Sequence, residues 1–200
     1  AIKFTGRGFA EVAAEIDAFV GNLEPEAPKP KMTHESQREF LHKTFKKTQP
    51  INQGDLAHRY FEARGIEELI YPKSLRFAPQ LNDGENNMRP ALVAVVSAPD
   101  GKPATLHRTF LKSDGSGKAD MLSPRKLMPG EIPAGACVQL SEYFGSGALG
   151  VAEGIETALA ASALYDIPVW AALNAGMLAK WSPPAGCNEV AIFGDNDDSY

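Results

Sequence analysis

The stretch GVAEGIETALAASALYDIPVW, residues 150–170, combines two patterns that together indicate how the chain folds. It opens on a short apolar run that ends at Glu153, and Gly154 then precedes a segment rich in Ala and Leu. Short apolar strands that alternate with helices are typical of a parallel sheet covered on both faces. The stretch therefore predicts a strand over LGVAE, a helix over IETALAASALYD and a second strand over PVWAAL.

The same alternation continues toward the end of the sequence. AGMLAKW predicts a short helix and EVAIFGD a third strand, which completes a β-α-β-α-β unit. In open parallel sheets, ligands bind at the carboxyl ends of the strands. Glu153 ends the first predicted strand there, and Asp195 and Asp197 follow the third strand 42 and 44 residues later.

These three acids have a chemical consequence if the first and third strands are neighbours. Residues two apart in an extended segment point to the same side, so Asp195 and Asp197 aim their carboxylates at one point. Converging carboxylates repel one another, and either protonation of one acid or binding of a cation relieves the repulsion. Oxygen ligands suit the hard cations Mg²⁺ and Mn²⁺, which support phosphoryl and nucleotidyl transfer.

Each acid also has an ordinary structural explanation. The segment DNDDS can form a loop with an Asx-turn, and Glu153 can be an acid that the dipole of the following helix stabilises. Taken singly, each acid favours that explanation. Their joint position at two strand ends of one β-α-β-α-β unit favours a metal site.

Upstream of this unit the pattern of the sequence changes twice. Residues 8–22 have apolar side chains at helical spacing, and a proline-rich segment, LEPEAPKPK, follows them. We therefore predict a helical tail of an upstream module at residues 1–23, a linker at 24–32, a helical and β-rich subdomain at 33–145, and the parallel unit at 146–200.

The subdomain at 33–145 begins with two predicted helices. Ser36 and Glu39 form a capping-box pattern at the start of the first, and Gly65 ends the second, GDLAHRYFEARGI. Strand-like runs between turn signals follow, namely SLRFAP, PALVAVVSAPDG, PATLHRTFLKSDGSG and ACVQLSEYF. These runs predict a small antiparallel or mixed sheet, so the fold class is α/β within the parallel unit and α+β overall.

Composition excludes several classes of protein. The 200 residues are 44% hydrophobic and 22% charged, as in soluble globular proteins. No apolar run approaches the roughly 20 residues that a membrane span needs, and the first residues lack the regions of a signal peptide. The two cysteines, Cys137 and Cys187, have no Cys or His at metal-ligand spacing. We predict a cytoplasmic protein without membrane contact and without a zinc site in this chain.

Charge is distributed unevenly along the sequence. The first 126 residues carry 19 Lys and Arg against 16 Asp and Glu, whereas the remainder carries one lysine against nine acids. The acidic segment can be a metal site or a solvated surface, and the basic segment can face a polyanion. A turn containing Gly115 and Gly117 can bring backbone N–H groups to phosphates, although a solvated hairpin fits it equally well.

The ordered set of motifs resembles the Toprim domain of phage and plasmid primases and primase–helicases. VAEGIETALAA and VAIFGDNDDS carry the resemblance, and YFEARGI, LRFAP, HRTFLKSDGSGKA and PRKLMPG extend it to about residues 55–200. The resemblance implies a DNA primase that makes primers on a single-stranded DNA template from nucleoside triphosphates, with Mg²⁺ or Mn²⁺ as cofactor and a helicase domain or protein as partner.

The resemblance also implies roles for individual residues. Glu153 would be the acid/base or metal-linked carboxylate, Asp195 and Asp197 the metal ligands, and Asp198 either a further ligand or a helix cap. Contacts to nucleotide and DNA would come from the basic residues of the subdomain, which are Arg108, Lys112, Lys118, Arg76, Arg89, Arg125 and Lys126.

Two departures from the pattern leave alternatives open. Bacterial primases carry an Asp four residues after the Glu, where this sequence has Thr157; Glu156 points roughly 100° away around the helix and receives no catalytic role. Toprim folds also continue past Asp-x-Asp, so an end at Tyr200 predicts a truncated sheet. The alternatives are a Toprim nuclease or topoisomerase, and a nucleic-acid-binding module without catalysis.

Overall fold

A computed structural model describes residues 8–20, 32–67, 70–145 and 147–194. The chain divides into two compact units, Ala1–Met32 and Thr33–Tyr200. Helix α1, Phe9–Val20, belongs to the first unit, and all other described elements belong to the second. None of the described helices is long and apolar enough to cross a membrane.

Five antiparallel strands form the larger sheet of the second unit, in the order β1-β2-β3-β4-β5. The strands are β1 Gln49–Pro50, β2 Leu75–Asn82, β3 Met88–Ser97, β4 Pro103–Phe110 and β5 Arg125–Leu127. The turn between β3 and β4 contains Gly101 at φ 80°, a conformation that glycine adopts without strain. The first three predicted strand-like runs, SLRFAP, PALVAVVSAPDG and PATLHRTFLKSDGSG, thus form part of an antiparallel sheet.

Helices α2, His34–Phe45, and α3, Leu56–Glu62, pack against different sets of sheet residues. The capping-box prediction for α2 is wrong, because Thr33 is the N-cap and its Oγ1 accepts the Ser36 amide at 3.2 Å. Thr33 is also a favoured capping residue, and capping at this position lets the helix begin before Ser36. Asp55 caps α3, where its Oδ1 accepts the His58 amide at 2.9 Å.

Three parallel strands form the smaller sheet, in the order β7-β6-β8. The elements are β6 Ala148–Ala152, α4 Ile155–Tyr165, β7 Val169–Ala171, α5 Ala175–Leu178 and β8 Glu189–Phe193. The predicted β-α-β-α-β unit is therefore confirmed, and so is the predicted fold class. The first strand of the unit lies in the centre of the sheet, with the third strand directly beside it.

Gly150 lies at the middle of the central strand, where its neighbours leave no room for a side chain. A Cβ atom at this position would lie 2.7 Å from Val169 Cγ2 and 2.9 Å from Phe193 Cε2. Side chains from both flanking strands therefore cover the backbone of β6. Glycine at this position allows the close packing of β7 and β8.

The segment ACVQLSEYF joins the two sheets instead of adding a strand, so that strand prediction is wrong. Cys137 forms a single antiparallel bridge with Ser97 at the end of β3, and Val138 forms another with Ala171 of β7. Because two successive residues pair with different sheets, neither sheet extends through this segment. The further strands of the larger sheet are β1 and β5, which the sequence pattern did not indicate.

The two sheets share one hydrophobic core. Buried residues of α3, β2 and β3 belong to the same cluster as buried residues of β6, α4 and β7. Tyr60 and Phe61 of α3 are fully buried within it. Apolar packing therefore fixes how the antiparallel part and the parallel part of the second unit lie against each other.

Candidate active site

Glu153 lies at the carboxyl edge of the parallel sheet, immediately after β6. Ala152 is in register with Phe193, and the Glu153 amide donates to the Phe193 carbonyl at 3.3 Å. The Glu153 side chain is half-buried. Strands β6 and β8 thus end side by side, and Glu153 lies where the chain leaves β8.

The aspartates assigned to metal binding, Asp195, Asp197 and Asp198, lie outside the described residues, so their roles stay predictions. Within residues 8–20, 32–67, 70–145 and 147–194, no group of three His, Cys, Asp or Glu side chains could hold a metal ion. Glu153 contributes one carboxylate at this edge, and its oxygen chemistry fits Mg²⁺ or Mn²⁺.

Two further side chains fold back over the turn that carries Glu153. Gly154 is the N-cap of α4, and a Cβ atom there would lie 3.3 Å from Thr157 Oγ1 and 3.6 Å from Glu156 Oε2. The carboxylate of Glu156 therefore lies over the turn between β6 and α4. The sequence pattern alone indicates no catalytic role for Glu156.

Glu156 is held by residues from distant parts of the chain. It accepts a hydrogen bond from the Tyr60 hydroxyl, 96 residues earlier, and its Oε1 lies 3.9 Å from Lys118 Nζ. Only 20% of the Glu156 side chain is exposed. No local sequence signal could have revealed this contact, because it depends on how α3 packs against α4.

The electrostatics of this contact favour an ionised Glu156 and a neutral Tyr60. Burial alone would raise the pKa of Glu156. The hydrogen bonds from the Tyr60 hydroxyl and from the Glu156 backbone amide, together with the charges of Lys118 and Arg64, outweigh burial and lower the pKa. Burial and the Glu156 charge raise the pKa of Tyr60 far above its ordinary value. The pair is therefore a charge-assisted hydrogen bond at neutral pH.

The turn after β7 is a plain helix start at the same edge. Asn174 is the N-cap of α5, and its Oδ1 accepts the Met177 amide at 2.9 Å. Leu173, just before it, is buried and adopts φ 77°. The side-chain oxygen of Asn174 thus accepts a hydrogen bond from within the protein.

The predicted DNA-binding cations lie on two faces of the antiparallel sheet. Arg76, Arg108 and Lys126 lie in one row across it, connected through Val93 by successive cross-strand pairs. Val93 belongs to the cluster that α2 covers. Arg125 is one residue from Lys126 on β5 and therefore lies on the opposite face, toward the core shared with the parallel sheet.

Most of these cations are tied to protein acceptors. The shared feature is a hydrogen bond or ion pair within the antiparallel part: Arg76 Nε to Thr48 Oγ1 at 2.6 Å, Arg89 Nε to Asp83 Oδ2 at 2.9 Å, Arg108 to the Asn82 carbonyl at 3.2 Å, Lys112 Nζ to Asp120 Oδ1 at 3.4 Å, and Lys126 Nζ to the Asp83 carbonyl at 2.9 Å. Lys118 differs from them, because it reaches Glu156 of the parallel part.

The glycine turn ahead of Lys118 packs against α3 instead of presenting free amides. A Cβ atom at Gly115 would lie 2.9 Å from Arg59 Cβ and 3.0 Å from the Leu56 carbonyl oxygen. The Gly115 amide donates to the Lys112 carbonyl, and the Ser116 amide donates to Asp114 Oδ1. The Gly115 and Ser116 amides are therefore engaged within the turn, which favours the hairpin explanation of this segment.

Asp83 lies in the β2–β3 hairpin, where acceptors bind three of the cations, Arg89, Arg108 and Lys126. Its side chain is fully buried. Burial alone would raise the pKa of Asp83, but hydrogen bonds from the Glu85 amide, the Arg89 guanidinium and Asn87 outweigh it and hold the pKa well below its usual range. The ionised carboxylate thus stabilises the folded hairpin.

Replacing Asp83 with Asn should lower the midpoint of thermal unfolding at pH 7 by roughly 4 °C or more, because buried donors lose a charged acceptor. A depressed pKa gives stability that is present above the unfolded value of about 4 and is lost as pH falls below it. The difference between wild type and variant should therefore stay constant from pH 7 to about pH 5 and shrink progressively below about pH 4. Asp100→Asn, at an exposed ion pair with Lys102, is the control. An equal effect of both variants at pH 7 would contradict the role of Asp83.

Solved structures with similar folds include two that contain primases. A chain in a structure of the bacteriophage T7 lagging-strand DNA polymerase interacting with primase domains of two gp4 subunits, bound to an RNA/DNA hybrid and dTTP, is 17% identical. Its TM-score is 0.37, with 62% of this chain covered and 59% of that chain. The Aquifex aeolicus primase, with zinc-binding and RNA polymerase domains, is 16% identical, with a TM-score of 0.44, 97% of this chain covered and 56% of that chain. The chain thus spans less than two thirds of each.

Family profiles match both parts of the second unit, whereas no curated protein matches the chain. The profile described as Domain of unknown function (DUF7146) matches residues 35–140, and the Toprim domain profile matches residues 148–199. The resemblance to a Toprim domain is therefore confirmed for the parallel unit. The chain belongs to the DUF7146 family, and a Toprim domain follows its family-defining region.

Proposed function

We propose that this chain is the catalytic core of a DNA primase, which transfers nucleotides in a metal-dependent reaction and makes primers on single-stranded DNA. The observation that carries the proposal is the hydrogen bond from the Glu153 amide to the Phe193 carbonyl at the carboxyl edge of the Toprim sheet. Because β6 and β8 end together, Glu153 lies beside the point where the chain leaves β8, and Asp195 and Asp197 follow that point in the sequence.

The reaction forms one bond and breaks another. A primer 3′-hydroxyl attacks the α-phosphate of a nucleoside triphosphate, a new P–O bond forms, and pyrophosphate leaves. The hydroxyl proton must be removed, and Glu153 is our candidate to accept it or to orient the metal-bound groups. Its half-buried position limits competing contact with water.

Asp195 and Asp197 would hold the divalent cation, and Asp198 would extend the site. Carboxylates are the ligands that Mg²⁺ and Mn²⁺ prefer, and Glu153 adds the same chemistry at this edge. When bound, the cation supplies charge neutralisation for the phosphate under attack. Positioning by the protein then accounts for most of the remaining rate enhancement.

Template and nucleotide would lie against the basic antiparallel part. Lys118 and Arg125 are the leading candidates for phosphate contacts, because Lys118 reaches the Toprim helix α4 and Arg125 lies on the sheet face toward the shared core. The row of Arg76, Arg108 and Lys126 lies on the other face and would contact the template away from the reacting phosphate. A helicase domain or protein would deliver the single strand.

A primer-synthesis assay tests the proposal. Full-length protein is incubated with circular single-stranded DNA, labelled nucleoside triphosphates and Mg²⁺, and the products are separated on a denaturing gel. We expect short labelled primers that need both template and Mg²⁺ and that disappear when EDTA removes the metal.

Other outcomes would assign a different function. Cleavage of the DNA circle without labelled product would favour a Toprim nuclease. Binding of DNA with neither synthesis nor cleavage, at every nucleotide and metal combination, would favour a nucleic-acid-binding module without catalysis.

A further inference from the structure

Glu156 links the two regions that the family profiles match. It belongs to the Toprim region, whereas its partners Tyr60 and Lys118 belong to the DUF7146 region. Its carboxylate also lies over the turn that carries Glu153, since Oε2 would be 3.6 Å from a Cβ atom at Gly154. One side chain therefore contacts the DUF7146 region and also lies over the turn at the proposed active site.

Tyr60 is a rigid anchor for this contact. The residue is fully buried in the shared core and makes an edge contact with the ring of Phe61. The Arg64 guanidinium lies 3.8 Å from the centre of the Tyr60 ring and donates to the Tyr60 carbonyl at 3.3 Å. The hydroxyl that reaches Glu156 is thus held on a side chain that packing immobilises.

Helix α3 also holds the loop that carries Lys118. Gly115 packs directly on Leu56 and Arg59 of α3, and Leu111 forms a β-bridge with Lys118. The loop that carries Lys118 is therefore held by the same helix that carries Tyr60. Two groups from the DUF7146 region converge on one carboxylate of the Toprim region.

Replacing the contact by water would be unfavourable at this location. His107 of β4 is close enough to Glu156 and Lys118 to feel their charges. Burial, and then the charge of Arg125, lower the pKa of His107 to about 4, so His107 is neutral at pH 7. Its Nδ1 is buried and has no hydrogen-bond partner within the described part of the protein. A desolvated surrounding of this kind strengthens the hydrogen bond between Tyr60 and Glu156.

We infer that Glu156 is a positioning residue, through which Tyr60 and Lys118 of the DUF7146 region fix the orientation of the Glu153 turn. The inference deepens the proposed primase function and rests on it for its effect on catalysis. It also gives Glu156 a function although it does not occupy the fourth position after Glu153, where the resemblance expects an acid.

Two conservative variants of the full-length protein test the inference. Tyr60→Phe removes only the hydroxyl and keeps the buried ring, and Glu156→Gln keeps the size of the side chain but removes its charge. Tyr165→Phe is the matched control, because Tyr165 lies at the far end of α4 and is largely exposed.

Amide hydrogen exchange gives a readout that does not depend on activity. For Tyr60→Phe and Glu156→Gln, we expect exchange in peptides covering residues 150–158 to become at least about fivefold faster, with strands β2 to β4 unchanged. Tyr165→Phe should leave these peptides unchanged. Faster exchange throughout the protein would show a merely structural role and would overturn the inference, as would unchanged exchange at residues 150–158 in both variants.

Kinetics gives the second readout. We expect kcat for primer synthesis to fall about tenfold in Tyr60→Phe while KM for nucleotide stays the same, because a misoriented turn impairs the reacting step and not binding. The double variant should be close to the more impaired single variant, since both remove one contact. Additive losses, or a raised KM with unchanged kcat, would overturn the inference. If the wild-type protein makes no primers, the proposed function fails and hydrogen exchange alone decides.

Discussion

Replacing Glu153 with Gln is expected to lower the rate of primer synthesis by at least about a hundredfold. The amide keeps the size of the side chain but can neither accept a proton nor contribute negative charge toward a cation. The half-buried side chain at the strand end is surrounded by little bulk water that could take over its role. The measurement is the initial rate of labelled nucleotide incorporation on single-stranded DNA.

Glu189→Gln is a matched control for this prediction. Glu189 begins β8, so it lies at the amino edge of the same sheet, and its side chain is exposed. We expect this variant to keep synthesis within about twofold of wild type, because exposed substitutions remote from the site have small effects. Asp195→Asn should show a loss similar to that of Glu153→Gln.

Synthesis that survives both Glu153→Gln and Asp195→Asn would remove the basis for the site assignment. A loss accompanied by a lower unfolding midpoint would instead point to a folding defect. Because Gln is isosteric with Glu, we expect the unfolding midpoint of Glu153→Gln to match that of the wild type.

Gly150→Ala is expected to destabilise the Toprim sheet by about 1–3 kcal/mol. The added Cβ would lie 2.7 Å from Val169 Cγ2 and 2.9 Å from Phe193 Cε2, so β7 or β8 must shift. In a strand with open space, Ala would instead be favoured over Gly because the unfolded chain loses less freedom. For a chain of this size, the thermal midpoint should fall by roughly 2–4 °C for each kcal/mol lost.

A second substitution separates steric conflict from other causes. Val169→Ala removes the two methyl groups nearest to the new Cβ, so it should be less harmful in the Gly150→Ala background than in the wild type. Gly117→Ala is the control, because its Cβ would meet only the Lys112 side chain at 3.9 Å. Additive effects of Gly150→Ala and Val169→Ala would contradict the packing explanation.

The parallel unit was predictable because its signals are local. Short apolar strands between helices indicate a parallel sheet whatever the rest of the chain does. The position of Glu153 at the carboxyl edge follows because the residue directly ends the first predicted strand. The antiparallel runs were predictable for the same reason, through the turn signals between them. Strands β1 and β5 were missed because their sequences, QP and RKL, are two and three residues long and have no apolar alternation.

The sequence also could not separate the cations by their location. Arg125 and Lys126 are adjacent in the chain, yet strand alternation places them on opposite faces, and only the register with β4 shows which face adjoins the Toprim domain. The segment ACVQLSEYF has the composition of a strand, but Cys137 and Val138 pair with different sheets. Both outcomes depend on how distant strands are arranged.

The sequence by itself determined the β-α-β-α-β unit, the Glu153 strand end and the resemblance to a Toprim domain, because each depends on residues within one segment or on motifs in a set order. Only the tertiary structure decided the role of Glu156. Its partner Tyr60 is 96 residues away, and the two meet because α3 and α4 bury their apolar faces in one core. A hydrogen bond that arises from such packing leaves no pattern in the local sequence. Neither the residues around Tyr60 nor those around Glu156 indicate that the two side chains will meet.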